Sequence, residues 1–153
     1  MKQRAELPDR VAELLEQLSI VDAPDRRDVE LLEDRLYEYN VERTGIADGR
    51  LLAILLRDRD DDLIAGLYGW TWGHCCEIRT LWVDEQWRGQ GLGTRLMAAA
   101  EAEARARGAV QMVLSTHSFQ APDFYRRLGF EPVGAIEEYP AGHQHIFLRK
   151  RLQ

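Results

Sequence analysis

Hydrophobic residues along this chain recur with two different spacings, and the changes between them predict where helices and strands lie. A spacing of three or four positions is clearest over residues 25–40, where the apolar side chains would share one face of a helix. Apolar runs of strand length follow later, between glycines and aspartates that are typical of turns. The apolar positions of this predicted helix are Val29, Leu32, Leu36 and Tyr39.

The same patterns divide the chain into helices and strands that do not strictly alternate. The predicted helices cover residues 7–18, 25–40, 91–107 and 121–129, and Gly108 would cap the third. The predicted strands cover residues 19–24, 50–58, 63–73, 75–83 and 109–116, and residues 131–152 would form a closing hairpin. This order predicts an α/β fold in the broad sense, an α+β arrangement around a mixed sheet.

Composition narrows the classes of protein that these patterns allow. Charged residues make up 30% of the chain and hydrophobic residues 45%, which is typical of a folded globular protein rather than a disordered one. The net charge of −6 argues against a nucleic-acid surface and mildly favours a small cationic substrate. The sequence has no signal peptide and no apolar run of membrane-spanning length, so we expect a cytoplasmic protein without a membrane partner.

One segment, LWVDEQWRGQGLGTRLM at residues 81–97, places glycines where a helix should begin. Gly89, Gly91 and Gly93 stand at alternate positions, although each glycine in a helix costs roughly 1 kcal/mol relative to alanine. A helix N-terminus leaves its first amides unbonded and carries partial positive charge, so an anion could approach such a backbone closely. Arg88 adds a charged donor. The segment indicates a phosphate site, and the alternative is a turn whose glycines pack against the sheet.

Two familiar phosphate motifs do not fit this segment. The nucleotide-binding P-loop requires Gly-Lys-Ser/Thr, whereas Thr94 follows Gly93 without a lysine. The dinucleotide fingerprint requires G-x-G-x-x-G, whereas the spacing here is G-x-G-x-G.

Two motifs, in the right order, resemble the GNAT superfamily of N-acetyltransferases, which use acetyl-CoA. The run Arg88-Gly89-Gln90-Gly91-Leu92-Gly93 matches the R/Q-x-x-G-x-G/A signature of that family. Further along, APDFYRRLGF at residues 121–130 is similar to the family pattern A-x-x-F-Y-x-x-x-G-F. The resemblance is close from Glu77 to Phe130 and looser from Asp28 to the C-terminus, and residues 1–24 have no clear counterpart.

The resemblance implies a GNAT-like fold with a mixed central sheet of about six to seven strands flanked by helices. It also implies one domain over residues 1–153, variable over 1–24, with acetyl-CoA as cosubstrate and no metal. In the family, the pantetheine arm lies along the strand before the glycine loop and the pyrophosphate lies on the loop amides. Ser118 takes the place of a frequent cofactor-binding asparagine, and Gln120 could substitute for it. The implied cofactor-binding residues are Leu81, Trp82, Val83, Arg88, Gly89, Gln90, Gly91, Leu92, Gly93, Thr94, Ser118, Gln120 and Tyr125.

Acetyl transfer to an amine requires a group that takes a proton from the ammonium and an acid for the departing thiolate. Glu77 matches a glutamate that many family members use as the base, and its even spacing from Leu81 and Val83 would place it on the face of the cofactor arm. Tyr125 matches the family's tyrosine near the coenzyme A sulfur and could protonate the thiolate. The alternatives are a glutamate that is solvated or only holds the ammonium, and a tyrosine that only packs.

Five residues are weaker candidates for the acceptor pocket. His117 ends a predicted strand near the expected substrate position, and it is either an alternative base or a surface histidine. Trp70 and Trp72 alternate along one strand, where core packing explains them equally well. Tyr139 and His143 lie in the final hairpin, which often borders the acceptor site in the family.

The cysteines and histidines do not indicate a metal site. Cys75 and Cys76 are adjacent, so on a strand they would point to opposite faces and neither share a metal nor form a structural disulfide. The four histidines lack a convincing zinc spacing with them.

These observations predict an N-acetyltransferase that moves an acetyl group from acetyl-CoA to a primary amine of a small molecule, directly in a ternary complex. A polyamine, an amino-sugar antibiotic or an amino acid derivative suits the acidic balance of the chain. One alternative is a protein lysine or N-terminal acetyltransferase. Another is a non-catalytic acyl-CoA-binding module, which would need neither Glu77 nor Tyr125. Dimers are common among relatives, so a homodimer stays open.

Overall fold

The computed structural model describes residues 7–152, which divide into two compact units, one before and one after the bond between Thr44 and Gly45. The first unit contains helices α1 (Leu7–Leu15) and α2 (Arg26–Thr44). Asp25 caps α2, because its carboxylate accepts a hydrogen bond of 2.9 Å from the Arg27 amide. Both helices were expected from the hydrophobic pattern, although α2 extends further toward the C-terminus than predicted.

The prediction of a strand over residues 19–24 is wrong, because the segment between α1 and α2 forms no strand. Ile20 and Val21 are 95% and 61% exposed. A short apolar pair becomes a strand only where a neighbouring strand bonds to it, and local β-propensity does not supply that neighbour.

The second unit is a six-stranded mixed sheet with helices. Its strands are β1 (Arg50–Arg57), β2 (Leu63–Trp72), β3 (Cys75–Val83), β4 (Gln111–His117), β5 (Glu131–Glu137) and β6 (Gln144–Arg151). Its helices are α3 (Leu92–Ala106) and α4 (Pro122–Arg127), with a single 3₁₀ turn (Glu85–Trp87) before α3. The strand order is β1-β2-β3-β4-β6-β5, and only β3 and β4 run parallel. Parallel neighbours need a crossover connection, which α3 supplies. The predicted mixed sheet of six to seven strands is confirmed.

The hydrophobic core lies between the sheet and α3. The helix buries two alanines and two larger side chains, and the alanines allow its backbone to approach the strands closely. The buried residues of α3 are Leu96, Met97, Ala100 and Ala104. The largest fully buried side chains of the sheet are Leu67, Cys76, Met112 and Leu148. None of the helices formed by residues 7–152 is long and apolar enough to cross a membrane.

A partly buried ion pair ties α3 to β6. Lys150 Nζ lies 2.5 Å from Glu101 Oε2, and each side chain is 23% exposed. Burial alone would raise the pKa of Glu101, but the hydrogen bonds and charges of Lys150 and Arg105 outweigh it and lower that pKa.

The two parallel strands pair only along their first halves. Residues Cys75–Ile78 of β3 lie opposite Gln111–Leu114 of β4, while β3 continues to Val83 and β4 to His117. Beyond the paired segment the strands therefore separate.

A β-bulge in β3 coincides with this separation. Across β2 and β3, Tyr68 lies opposite Thr80 while Gly69 lies opposite Ile78, so Arg79 is an extra residue. The bulge re-aims the second half of β3 relative to the first.

Candidate active site

A cleft of ≈ 910 Å³ opens where β3 and β4 separate, and the N-terminus of α3 and the start of α4 continue its walls. It gathers residues that are far apart in the sequence. The predicted cofactor-binding residues that line it are Leu81, Trp82, Val83, Arg88, Gly89, Gly91, Leu92, Gly93, Thr94, Gln120 and Tyr125.

Two different structural features explain why glycine occupies three positions at the start of α3. Gly89 and Gly91 have φ values of +73° and +81°, a region that side chains strongly disfavour, and Gly91 is the N-cap. A Cβ on Gly93 would lie 3.2 Å from Phe124 Cζ, so this glycine allows α4 to approach α3. Within the described chain, no side chain bonds to this end of α3. The first amides of α3 therefore face the cleft as free donors for an anion.

Arginines concentrate along this cleft although the protein is acidic. Arg79, Arg88 and Arg127 line it, and none of the aspartates and glutamates among residues 7–152 does. Arg88 Nε donates to the Val83 carbonyl at 3.0 Å, which holds the guanidinium beside the glycine turn. Sequence reasoning found only Arg88, because nothing local distinguishes Arg79 and Arg127 from other surface arginines. The local charge suits a ligand that carries several phosphates.

Tyr125 of α4 lines the cleft and is buried. Its side chain is 9% exposed and its ring contacts Phe124 at 5.0 Å and Phe130 at 6.1 Å. Burial raises the pKa of its hydroxyl, so the group stays protonated at neutral pH and is available as a hydrogen-bond and proton donor.

The spacing argument for Glu77 is wrong. Because Arg79 is an extra residue, the core-facing side chains Ile78 and Leu81 are three positions apart instead of two. Glu77 therefore lies on the face of β3 opposite Leu81, and it does not line the cleft. Its carboxylate is 3.8 Å from Arg79 Nη1 and is 37% exposed. A catalytic role for Glu77 stays a prediction, now for a group on the far side of β3 from the core.

Two predicted cofactor residues lie outside the cleft lining. The Ser118 hydroxyl accepts a hydrogen bond of 3.0 Å from the Gln144 amide, and its backbone amide donates to the Gln144 carbonyl at 2.9 Å. Ser118 thus joins the end of β4 to the start of β6. The Gln90 side chain turns back and donates to the Gln86 carbonyl at 3.4 Å.

The two tryptophans are also outside the cleft. Trp72 Nε1 donates to the Ile46 carbonyl at 2.9 Å, and the Trp70 ring contacts Tyr68 at 6.5 Å. Both side chains are on the β2 face opposite the buried Leu67 and Thr71, away from α3. These positions supply packing and a loop contact.

A group of rings adjoins the cleft, which we term the His117 cluster. The His117 and His145 rings stack with centroids 4.5 Å apart, and Tyr139 meets them edge-on at 5.5 Å and 5.0 Å. Phe119, which lines the cleft, lies 5.3 Å from His117 and 4.9 Å from His143. The structure thus brings together three of the predicted acceptor residues. The members of the cluster are His117, Phe119, Tyr139, His143, His145 and Phe147.

His145 is the member that sequence reasoning missed, since only the register of β4 against β6 places it opposite His117. Its Nδ1 is buried and has no hydrogen-bond partner among the described residues. Burial and the charge of His117 lower the pKa of His145, so this ring is neutral at neutral pH.

The family model described as "Acetyltransferase (GNAT) family" matches residues 12–130 of this chain. The chain belongs to the GNAT acetyltransferase family. The match contains both motifs, the separated strands and the cleft, so this GNAT protein is an acetyl-transferring enzyme.

Two curated acetyltransferases are similar to this GNAT chain over most of their length. An acetyltransferase of Agrobacterium fabrum is 35% identical over 130 residues, which is 85% of this chain and 95% of that protein. Blasticidin-S acetyltransferase of Streptomyces morookaense is 43% identical over 95 residues, which is 60% of this chain and 68% of that protein.

Crystal structures of other acetyltransferases confirm the fold. An acetyltransferase from Agrobacterium tumefaciens has a TM-score of 0.78 and 33% identity, covering 88% of this chain and 98% of that one. A Bacillus anthracis protein in complex with acetyl coenzyme A has a TM-score of 0.59 and 20% identity. The match covers 67% of this chain and 63% of that one. The second likeness concerns the fold alone, and it is a fold that holds acetyl-CoA in that protein.

Cys76 lies outside the cleft lining. The pKa of Cys76 is raised to about 11, mainly because the side chain is buried, so its thiol stays protonated at neutral pH. Among residues 7–152, no group of three or more histidine, cysteine, aspartate and glutamate side chains is arranged to hold a metal ion.

Proposed function

We propose that this enzyme transfers an acetyl group from acetyl-CoA to a primary amine of a small molecule, directly, in a ternary complex. The observation that carries the proposal is the cleft between β3 and β4, whose lining includes three arginines, the free amides at the start of α3 and the buried Tyr125. Such a lining suits a donor that carries both phosphates and a thioester.

The proposed donor would lie along the second half of β3. The amides of Gly91 to Thr94 and the side chain of Arg88 would hold the pyrophosphate. The pantetheine arm would follow Leu81 to Val83, where β3 has no bonds to β4 and its backbone is available to an extended ligand. A backbone amide near Val83 would polarise the thioester carbonyl. Of the predicted cofactor residues, Ser118 and Gln90 receive no support from the geometry.

The proposed transfer balances with the groups at hand. The acceptor ammonium loses a proton, the amine nitrogen forms a bond to the thioester carbon, and the carbon–sulfur bond breaks. The departing thiolate takes the Tyr125 proton, which solvent later restores. Glu77, on the face of β3 opposite Leu81, would hold the ammonium or take its proton.

The small-molecule acceptor is favoured over a protein by one similarity. The relative with 43% identity is named Blasticidin-S acetyltransferase, after an acceptor that is a small molecule. A lysine side chain or a protein N-terminus is the second candidate acceptor. A homodimer is the candidate oligomeric state.

The test is an acceptor panel with the purified full chain and acetyl-CoA. Blasticidin S, spermidine, an aminoglycoside and a lysine-containing peptide would be compared by thiol release and by product mass. We expect one of the small amines to gain a single acetyl group at least about tenfold faster than the peptide, a difference of 1.4 kcal/mol in activation free energy. A faster peptide would reassign the acceptor, and acetyl-CoA binding without any transfer would favour the non-catalytic module.

A further inference from the structure

Gln120 makes an unusual set of contacts with its amide oxygen. Gln120 Oε1 lies 2.8 Å from the His117 backbone nitrogen, 3.2 Å from Thr116 Oγ1 and 3.2 Å from His117 Nδ1. The Gln120 backbone amide in turn donates to the His117 carbonyl at 2.9 Å. The side chain is therefore fixed against the end of β4 by both partners.

These contacts assign the tautomer of His117. The His117 backbone N–H can only donate, so the Gln120 atom that faces it is the amide oxygen and not the amide nitrogen. An amide oxygen can only accept, so His117 Nδ1 must carry the hydrogen that points at it. The neutral ring then has its lone pair on Nε2, and that nitrogen is the one able to take a proton.

His117 does not line the cleft itself, but it lies next to residues that do. It is the last residue of β4, beyond Leu114, where pairing with β3 ends. Its two partners in the following turn, Phe119 and Gln120, both line the cleft. The imidazole therefore stands at the border between the cleft and the His117 cluster.

The titratable groups that face His117 come from two elements. His145 of β6 stacks on its ring, and Tyr139 of the turn between β5 and β6 meets its edge. His143 of the same turn contacts Phe119, one ring away. Over residues 7–152, no carboxylate forms an ion pair with His117. The stacked His145 imidazole and the Tyr139 phenol are thus the immediate surroundings of a proton on His117.

We propose that His117 Nε2 takes the proton from the acceptor ammonium and that Gln120 is the positioning residue that holds the required tautomer. The proposal rests on the proposed function and deepens it. The N–H bond of the ammonium breaks, its proton forms a bond to Nε2, and the electron pair stays on the amine nitrogen for attack on the thioester carbon. The imidazolium later releases this proton to solvent.

The first experiment reads the tautomer directly. Nitrogen NMR of the free, ¹⁵N-labelled protein distinguishes a protonated from an unprotonated ring nitrogen, and no acceptor is needed. We expect His117 to carry its hydrogen on Nδ1 in the unmodified protein and to lose this preference in Gln120→Leu. An Nε2–H tautomer in the unmodified protein would overturn the proposal.

The second experiment reads the pH dependence of kcat/KM for the fastest acceptor of the panel. His117→Gln should lower kcat about 100-fold, the low end of the range for general bases, and remove the acid limb. Gln120→Glu places a carboxylate against Nδ1–H and should move the acid limb to higher pH by about one unit. The control His74→Asn, in the β2–β3 turn at φ +67°, should leave the profile unchanged.

Retention of the acid limb and of kcat within about threefold in His117→Gln would overturn the base role even if the tautomer is correct. Absence of acetylation of every amine, with the Nδ1–H tautomer present, would overturn the proposed function and the base role with it. The two failures are distinguishable, because the tautomer is measured without any acceptor.

Discussion

The first turn of α3 offers a sharp test, because the chain contains a second glycine with the same backbone conformation. Gly91 and Gly108 both have φ +81°, and a Cβ on either would meet nothing within 4 Å. Gly91 precedes α3 in the cleft, whereas Gly108 follows the same helix. The substitutions Gly91→Glu and Gly108→Glu therefore add the same side chain, the same charge and the same backbone strain.

The two substitutions should destabilise the fold by similar amounts, but only Gly91→Glu should weaken acetyl-CoA binding. A non-glycine residue in this conformation costs about 1–2 kcal/mol at both sites. The helix dipole favours a carboxylate at Gly91 and disfavours one at Gly108 by about 0.3–1 kcal/mol, so Gly91→Glu should be the more stable variant. A carboxylate about 5 Å from one phosphate charge repels it by about 0.8 kcal/mol in water and about 3 kcal/mol at an effective dielectric constant of 20.

Gly91 is exposed, so the lower part of that range applies. Two phosphate charges then give at least about 1.6 kcal/mol, which corresponds to a loss of acetyl-CoA affinity of about 15-fold or more. Calorimetric titration gives the affinities, and thermal unfolding gives the stabilities. Unchanged affinity in Gly91→Glu, or an equal loss in Gly108→Glu, would refute the assignment of the pyrophosphate to this turn.

Three further outcomes follow from the packing and the pKa shifts. A Cβ on Gly69 would lie 2.0 Å from the Glu77 carbonyl oxygen, so Gly69→Ala should cost about 3 kcal/mol or more in urea unfolding, and Gly134→Ala, with nothing within 4 Å, should not. Tyr125→Phe should lower kcat at least about tenfold with acetyl-CoA affinity retained, since the buried hydroxyl is the proposed acid; unchanged kcat would remove it from the mechanism. Because the pKa of Glu101 is lowered on folding, its ion pair stabilises the protein above pH 4.5 and is lost as the pH falls through the folded value. Glu101→Gln should therefore lower stability at pH 7 by about 1–3 kcal/mol and much less at pH 3, and equal losses at the two pH values would contradict this reasoning.

Local chemistry explains why parts of the site could be predicted from the sequence. The glycines that begin and end α3 have positive φ values, and few other residues adopt them, so Gly91 and Gly108 mark the ends of that helix. The motif around Tyr125 places this ring at the cleft because α4 follows β4 after a short turn. Both features depend on residues that are close together in the chain.

The parts that could not be predicted depend on pairing between distant strands. The bulge at Arg79 shifts the alternation of β3 by one residue, and a pattern read from one strand alone cannot show it. The stacking of His145 on His117 depends on the register of β4 against β6. The absence of a strand at residues 19–24 likewise depends on a partner strand that no local signal reveals.

The central claim is that the cleft between β3 and β4 binds acetyl-CoA through the start of α3. The most direct measurement is calorimetric titration of the full chain with acetyl-CoA, with NADH and ATP as controls. The structure predicts binding of acetyl-CoA in the micromolar range and at least about tenfold weaker binding of both controls. Absence of acetyl-CoA binding, or equal binding of all three, would contradict the claim, because the arginines and glycines of the cleft would then act as a general anion site or none.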